Sequence, residues 1–272
     1  MVIHWEDIME RRHFLAASLA ASAVAVTRDA VAQAPSGRTR EFYQLRRYSL
    51  QNGPQLKLTE SYFADALIPA LTRIGMGPVG AFRQEIGQET PVFFLLIPGS
   101  SVETLAELDL RLGKDEDFLK SAAPYWNATA AAPAYQRVEI SLLAAFEGWP
   151  KLTPPASSAT KAKRIFQLRT YESPSEGDHV RKVEMFHAGE FDIFVNAGCH
   201  PVFFADSLIG PRLPNLTYML TFADIDELNA KWDVFRNDPA WKKLSTNPRY
   251  ASDQLVTNIT NLVLSPMASS QL

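Results

Sequence analysis

Three histidines lie beyond the first 13 residues, His179, His187 and His200, and all three fall in the second half of the chain. His187 stands three residues before Glu190, the spacing at which two side chains can share one face of a helix. At about 100° per residue, Val183, His187, Glu190 and Phe194 form a single stripe. Its outer members are apolar, so the stripe predicts a base and a carboxylate turned toward a protein interior. A buried charge costs several kcal/mol unless it is partnered. The expected arrangement is therefore a His187–Glu190 pair in a pocket between helix and sheet, with His187 as general base and Glu190 orienting it. The bland alternative is a slightly rotated helix with both groups in water.

Arg169 and Tyr171 are two residues apart on a predicted strand and so share a face. Arginine beside tyrosine could hold a carboxylate and an aromatic ring. Arg46 and Tyr48 repeat the pair, and a cation resting on a ring explains both without a ligand. Phe203, Phe204 and Tyr218 add aromatic surface. Asp238 and Pro239 read as the N-cap and first residue of a short helix that carries Trp241 to a pocket mouth. The predicted site thus has His187 and Glu190 as catalytic groups, with Arg169, Tyr171, Phe203, Tyr218 and Trp241 as ligand contacts. Glu184 and His187 have half of a di-iron spacing, three histidines could hold zinc or iron, and His200 could ligate haem. The di-iron motif needs a second copy and two further glutamates that the sequence lacks, and the three-histidine site needs the strand start to bring His200 near the helix. No cofactor is predicted, with haem and a metal as open alternatives. Phosphate loops, G-x-S-x-G and C-x-x-C are absent, which disfavours nucleotide hydrolysis, serine hydrolysis and thiol redox chemistry.

The elements that must position these residues follow from composition and repetition. Of 272 residues, 46% are hydrophobic and 21% charged, as in a globular protein, and a net charge of -3 gives no reason to expect a nucleic-acid partner. The single cysteine, Cys199, excludes an internal disulfide and reads as a small buried residue. Residues 1–34 read as a leader. Arg11-Arg12 precede an apolar run of about 11 residues, too short to span ~30 Å of hydrocarbon, and a small-x-small site follows. The paired arginines indicate the twin-arginine type, with cleavage after Ala32 or Ala34. Translation could start at Met1 or Met9. The expectation is a periplasmic protein with no membrane anchor once processed.

Gln44-Leu45-Arg46-x-Tyr48 recurs as Gln167-Leu168-Arg169-x-Tyr171, an offset of 123. The same offset links Phe63 to Phe186, Gly75 to Gly198, Pro91 to Pro214 and Phe118 to Trp241. An ungapped register of this length predicts two tandem copies, over 41–147 and 164–266, joined by a Pro-, Ser- and Ala-rich linker at 148–163. Each copy reads as strand, long helix, two strands, helix, strand, the split β-α-β-β-α-β unit. A four-stranded sheet with helices on one face leaves the other bare. Two such sheets packed face to face bury it. The predicted fold is α+β: two ferredoxin-like units forming an α+β barrel within one chain.

Asn196 to Phe222 (NAGCHPVFFADSLIGPRLPNLTYMLTF), Phe235 to Trp241 (FRNDPAW) and the QLR-x-Y opening together resemble the NIPSNAP family of the dimeric α+β barrel superfamily. The resemblance covers nearly all of 42–264 and is stronger in the second copy, so it implies that the first copy is a structural partner. It implies the barrel fold and supplies no catalytic set. The expected function is binding of a small, largely apolar molecule in the second-copy pocket, with cofactor-independent oxygenation or proton transfer as candidate chemistry. The alternatives are a non-catalytic binding or assembly protein and a haem protein. A homo-oligomer is compatible with this reading.

Overall fold

The computed structural model describes residues 39–250 and 255–272; the predicted leader lies outside them. Residues from Arg38 onward form one contact unit. The first half runs β1 (Phe42–Ser49), a long helix α1 built from Pro54–Ser61, Tyr62–Leu67 and Ile68–Arg73, β2 (Gly80–Ile86) and β3 (Val92–Gly99). It continues through α2 (Val102–Ala106), α3 (Leu108–Leu112), α4 (Glu116–Trp126) and β4 (Arg137–Ala145). After α5 (Ala156–Thr160) in the linker, the second half runs β5 (Ile165–Glu172), then α6, built from Glu176–Met185, Phe186–Glu190 and Phe191–Asn196. There follow β6 (His200–Ile209), β7 (Asn215–Phe222), α7 (Ile225–Asn237), α8 (Pro239–Ser245) and β8 (Asn258–Pro266).

These elements have local causes. Asp115, Ser175, Asp224 and Asp238 each accept an N–H from the first turn of the helix they open. Gly75 and Gly198 end the two long helices at φ of 75° and 76°, a conformation that disfavours a side chain. In β3, VFFLLIP is buried along its whole length, because helices cover one face and the other half of the chain covers the second.

Among the described residues the strands close into a barrel, in the order β1-β3-β2-β8-β5-β7-β6-β4. Each half contributes four consecutive strands, β4-β1-β3-β2 and β8-β5-β7-β6, the ferredoxin-like order. The offset of 123 survives in the pairing: Arg46 faces Leu95 in β1–β3, and Arg169 faces Tyr218 in β5–β7. The halves meet along two antiparallel seams, β2–β8 and β4–β6. Closure is thus by edge hydrogen bonds as well as by packed faces.

Strand alternation sorts the side chains into layers. Tyr43, Phe94, Leu96, Phe166, Leu168, Phe203 and Met219 point into the barrel and form one apolar core, with Leu152 of the linker and Leu272. The opposite faces pack on the helices. Tyr48, Phe63, Leu67, Leu95 and Phe118 make the outer core of the first half, and Tyr171, Phe186, Phe194, Tyr218 and Trp232 that of the second. Helix α4 of the first half is longer than expected. The sequence suggests a short turn or helix around Asp115–Phe118; the structure has a helix, α4, which continues to Trp126 and carries Tyr125.

Both long helices contain a π-helical turn at matching positions, Tyr62–Leu67 and Phe186–Glu190. The amide of Phe191 bonds the carbonyl of Phe186, five residues back. Such a turn holds one more residue than an α-turn and shifts the facing of all that follows by about 100°. Gly189 sits within it at φ 140°.

Candidate functional site

That turn separates His187 from Glu190 and corrects the predicted pair. With one residue inserted, positions three apart face apart, while positions eight apart align as seven would in a regular helix. Glu190 is 2% exposed and pairs with Lys182, eight residues earlier, at 2.7 Å. His187 faces outward. Its Nε2 accepts the Gly148 amide at 3.1 Å and its Nδ1 donates to the Val183 carbonyl at 2.9 Å. Both ring nitrogens are engaged in fastening the linker to α6, so neither is free to act as a base toward a ligand.

The remaining predicted contacts form a filled core. Tyr171 and Tyr218 share a hydrogen bond of 2.7 Å, and Arg169 donates Nε to the Tyr171 oxygen at 3.3 Å. The Arg169 guanidinium lies 4.6 Å from the Trp232 ring centre, and Trp232 donates to Gln167 at 2.7 Å. The Lys182 ammonium rests 4.6 Å from the Phe186 ring and 5.8 Å from Trp241. Burial raises the pKa of Glu190, against the opposing pull of Lys182 and Arg169. Trp241 packs on Phe235 at 4.7 Å between ring centres. Phe203 leaves this group altogether: it points into the barrel and meets Tyr43 of the other half at 5.2 Å. The structure therefore brings together Arg169, Tyr171, Tyr218, Glu190 and Trp241 as a packed layer of side chains that bond and stack on one another.

The histidines do not converge. His179 bonds Asp206 at 2.8 Å, and His200 lies by the linker among Cys199, Pro201 and Arg164. Among the described residues no three His, Cys, Asp or Glu side chains cluster as a metal site requires.

Among the described residues a ligand-sized space adjoins the Arg–Tyr pair of the first half. A cavity of about 520 Å3 is lined by Arg46 and Tyr48 of β1, Tyr62 of α1, Asp109 of α3, Tyr125 and Trp126 of α4, and the segment from Ala128 to Tyr135. Val138 and Ile140 of β4 complete the wall. The volume is in the range of pockets that take small organic molecules. The two halves differ at positions 123 residues apart. Leu95 stands where Tyr218 fills the other half, Asp109 where Trp232 does, and Thr59 and Leu67 replace Lys182 and Glu190.

Arg46 is 4% exposed. Its Nε donates to Gln44 at 2.5 Å and its Nη2 to Asp109 at 2.8 Å, and the Tyr48 hydroxyl lies within hydrogen-bonding reach of the guanidinium. Burial alone would lower the arginine pKa, but the neighbouring Tyr48 and Asp109 more than reverse that, so the guanidinium stays charged. Asp109 is 49% exposed and lies on the solvent side of the pair. Tyr62 and Tyr125 stack in parallel at 3.8 Å, and Tyr125 leans on Tyr135 at 5.8 Å. Burial raises the pKa of Tyr48, Tyr62 and Tyr125, so all three remain phenols at neutral pH. The hydroxyls of Tyr62 and Tyr125 make no hydrogen bond among the described residues. They are also not among the fully enclosed unpartnered atoms, which are Trp149 Nε1, Ser158 Oγ, Arg164 Nε and His179 Nδ1. Those two hydroxyls therefore open onto accessible space, and the cavity they line supplies it. The sequence signal for this site was the concentration of tyrosine at 48, 62, 125 and 135 with aspartate in place of Trp232.

Residues 166–271 match the NIPSNAP family. No curated protein matches the chain. Among solved structures, a candidate monooxygenase from Lactobacillus acidophilus is similar over 84% of this chain and 94% of its own, with a TM-score of 0.53 at 8% identity. A second candidate monooxygenase, from Fusobacterium nucleatum, covers 84% and 93% with a TM-score of 0.50, also at 8% identity. A NIPSNAP-like domain protein from Burkholderia xenovorans is 17% identical over 39% of this chain and 86% of its own, with a TM-score of 0.35. The chain thus carries a NIPSNAP domain in its second half, and its described body has the α+β fold of the two larger structures. At such identities the likeness concerns fold alone.

Proposed function

We propose that this protein is a small-molecule-binding α+β barrel whose ligand site lies in the first half. In this reading it is a tandem duplication of a NIPSNAP-like unit, carried to the periplasm by the leader over 1–34. One observation supports the reading above the rest: a cavity of about 520 Å3 beside the buried Arg46, where the corresponding residues of the second half pack on one another. In this reading one half keeps a space at its Arg–Tyr pair, and the other packs aromatic side chains on the matching pair.

Binding is favoured over catalysis by the wall itself. It contains no histidine, lysine, cysteine or glutamate, and Asp109 is its one carboxylate. Oxygenation or proton transfer without a cofactor would have to use Asp109 or a tyrosine.

Native mass spectrometry of the folded chain from periplasmic extract tests the proposal. The expected result is a co-purifying compound carried by the native chain and absent from Ala130→Trp. Ala130 is an exposed residue of the cavity wall, so the large ring should block the space without disturbing the core. A compound carried equally by that variant would overturn the placement.

A further inference from the structure

The chemistry of the cavity wall specifies its occupant more closely, on the footing of the binding reading above. We infer that the ligand is an aromatic or polycyclic anion, a carboxylate or a phenolate on a flat apolar body, and that its charge takes the place of Asp109 on Arg46.

The inner wall is rich in donors: one guanidinium and two phenol hydroxyls. Arg46 is a buried cation, held by Gln44 and Asp109 and neighboured by the Tyr48 hydroxyl. Tyr62 and Tyr125 are 5% and 9% exposed, and each brings an O–H to the same space. Because burial keeps these phenols protonated, they offer hydrogen to an acceptor. A buried guanidinium flanked by hydroxyls is the complement of an oxyanion, and charge-assisted hydrogen bonds are roughly twice as strong as neutral ones.

The pocket's one carboxylate is arranged to give way. Asp109 sits on the five-residue helix α3 and is half exposed, so it exchanges Arg46 for water at little cost. With no ligand bound it keeps the buried guanidinium partnered. When an anion arrives, Arg46 trades one carboxylate for another and is never left uncompensated. The rest of the wall selects the body. Trp126, Tyr135, Val138, Ile140 and the alanines provide aromatic and apolar surface and no further charge. A sugar phosphate or a polar amino acid would leave most of its hydroxyls or ammonium unmatched there.

Three probes of one shape and different charge decide the matter: 2-naphthoate, 2-naphthamide and 2-naphthylmethylammonium, titrated calorimetrically into the full chain. Naphthoate is expected to bind about tenfold or more tighter than naphthamide, with the ammonium weakest. Asp109→Asn should tighten naphthoate by about three- to tenfold, since it removes the competing charge, and should leave naphthamide within about twofold. A gain of affinity cannot come from a damaged fold, so this variant remains informative even if Arg46→Gln folds poorly. Equal binding of the neutral or cationic probe overturns the inference, as does weaker naphthoate binding by Asp109→Asn. If none of the three binds while a neutral compound co-purifies with the native chain, the anion assignment falls and the binding reading stands. If none binds and nothing co-purifies, both fall.

Discussion

The Lys182–Glu190 pair offers the sharpest test of the physical reasoning. Its side chains are 6% and 2% exposed and 2.7 Å apart, enclosed by Phe186, Tyr171 and Trp241. Glu190→Leu installs what the first half carries at the matching position, Leu67, but leaves the ammonium buried among rings. Removing one member of such a pair costs about 3–5 kcal/mol. For a body of this size that corresponds to a fall in Tm of roughly 6–20 °C. Replacing both, Lys182→Met with Glu190→Leu, removes the charge and its counter-charge together, and should return stability to within about 1–2 kcal/mol of the native chain. Urea unfolding of the four proteins of this cycle measures the coupling. The pH dependence gives an independent check. Burial raises the pKa of Glu190 in the folded state, so between the ordinary carboxylate value and that raised value the folded chain binds more protons than the unfolded one. Stability contributed by this group is complete below the ordinary value and declines as pH rises through the raised one. Lys182→Met removes the cation that limits the shift, so its deficit should widen from about pH 5 upward. If Glu190→Leu alone costs under about 1 kcal/mol, or the double variant fails to recover, the pair is not the buried, coupled unit described here.

Three further outcomes follow from the same geometry. Tyr218→Phe removes the 2.7 Å bond to Tyr171 and should cost about 1 kcal/mol in chemical denaturation, with naphthoate binding unchanged. His187→Ala releases the Gly148 amide at the surface; it should cost under about 1 kcal/mol and leave ligand affinity in the first half unaltered, whereas a catalytic His187 would abolish activity on any substrate found. The Cys199 thiol is 2% exposed and pushed by burial up to about 12, so a disulfide reagent should react with it only as fast as the chain unfolds.

The outline of the fold was legible because its signals are local. The glycines at 75 and 198 and the Asp238–Pro239 helix start each reflect a backbone requirement that neighbouring residues satisfy. The strand faces were legible for the same reason, since period-two alternation placed Arg169 and Tyr171 together. Phe203 was misplaced because the β6 pairing shifts register between Pro201 and Phe203, and a one-residue shift changes the face. The helix stripe failed at the π-turn, where a uniform 100° step no longer applies. Lys182 was invisible as a partner for Glu190, since eight positions do not align on a regular helix. The first-half cavity was missed for a different reason. Polar residues turned inward drew attention to the second half, but there they satisfy one another. Space arises where large side chains are absent, at Leu95 and Asp109, and the absence of bulk leaves no periodic trace.

Every strand in the described barrel has a neighbour on both sides. An open ferredoxin-like sheet presents two rows of unsatisfied amides and carbonyls to any extended peptide that drifts by, and here those rows are spent on each other along β2–β8 and β4–β6. Crowded copies of this protein should therefore meet through helices and loops, and a strand from a misfolded neighbour finds no ladder to join.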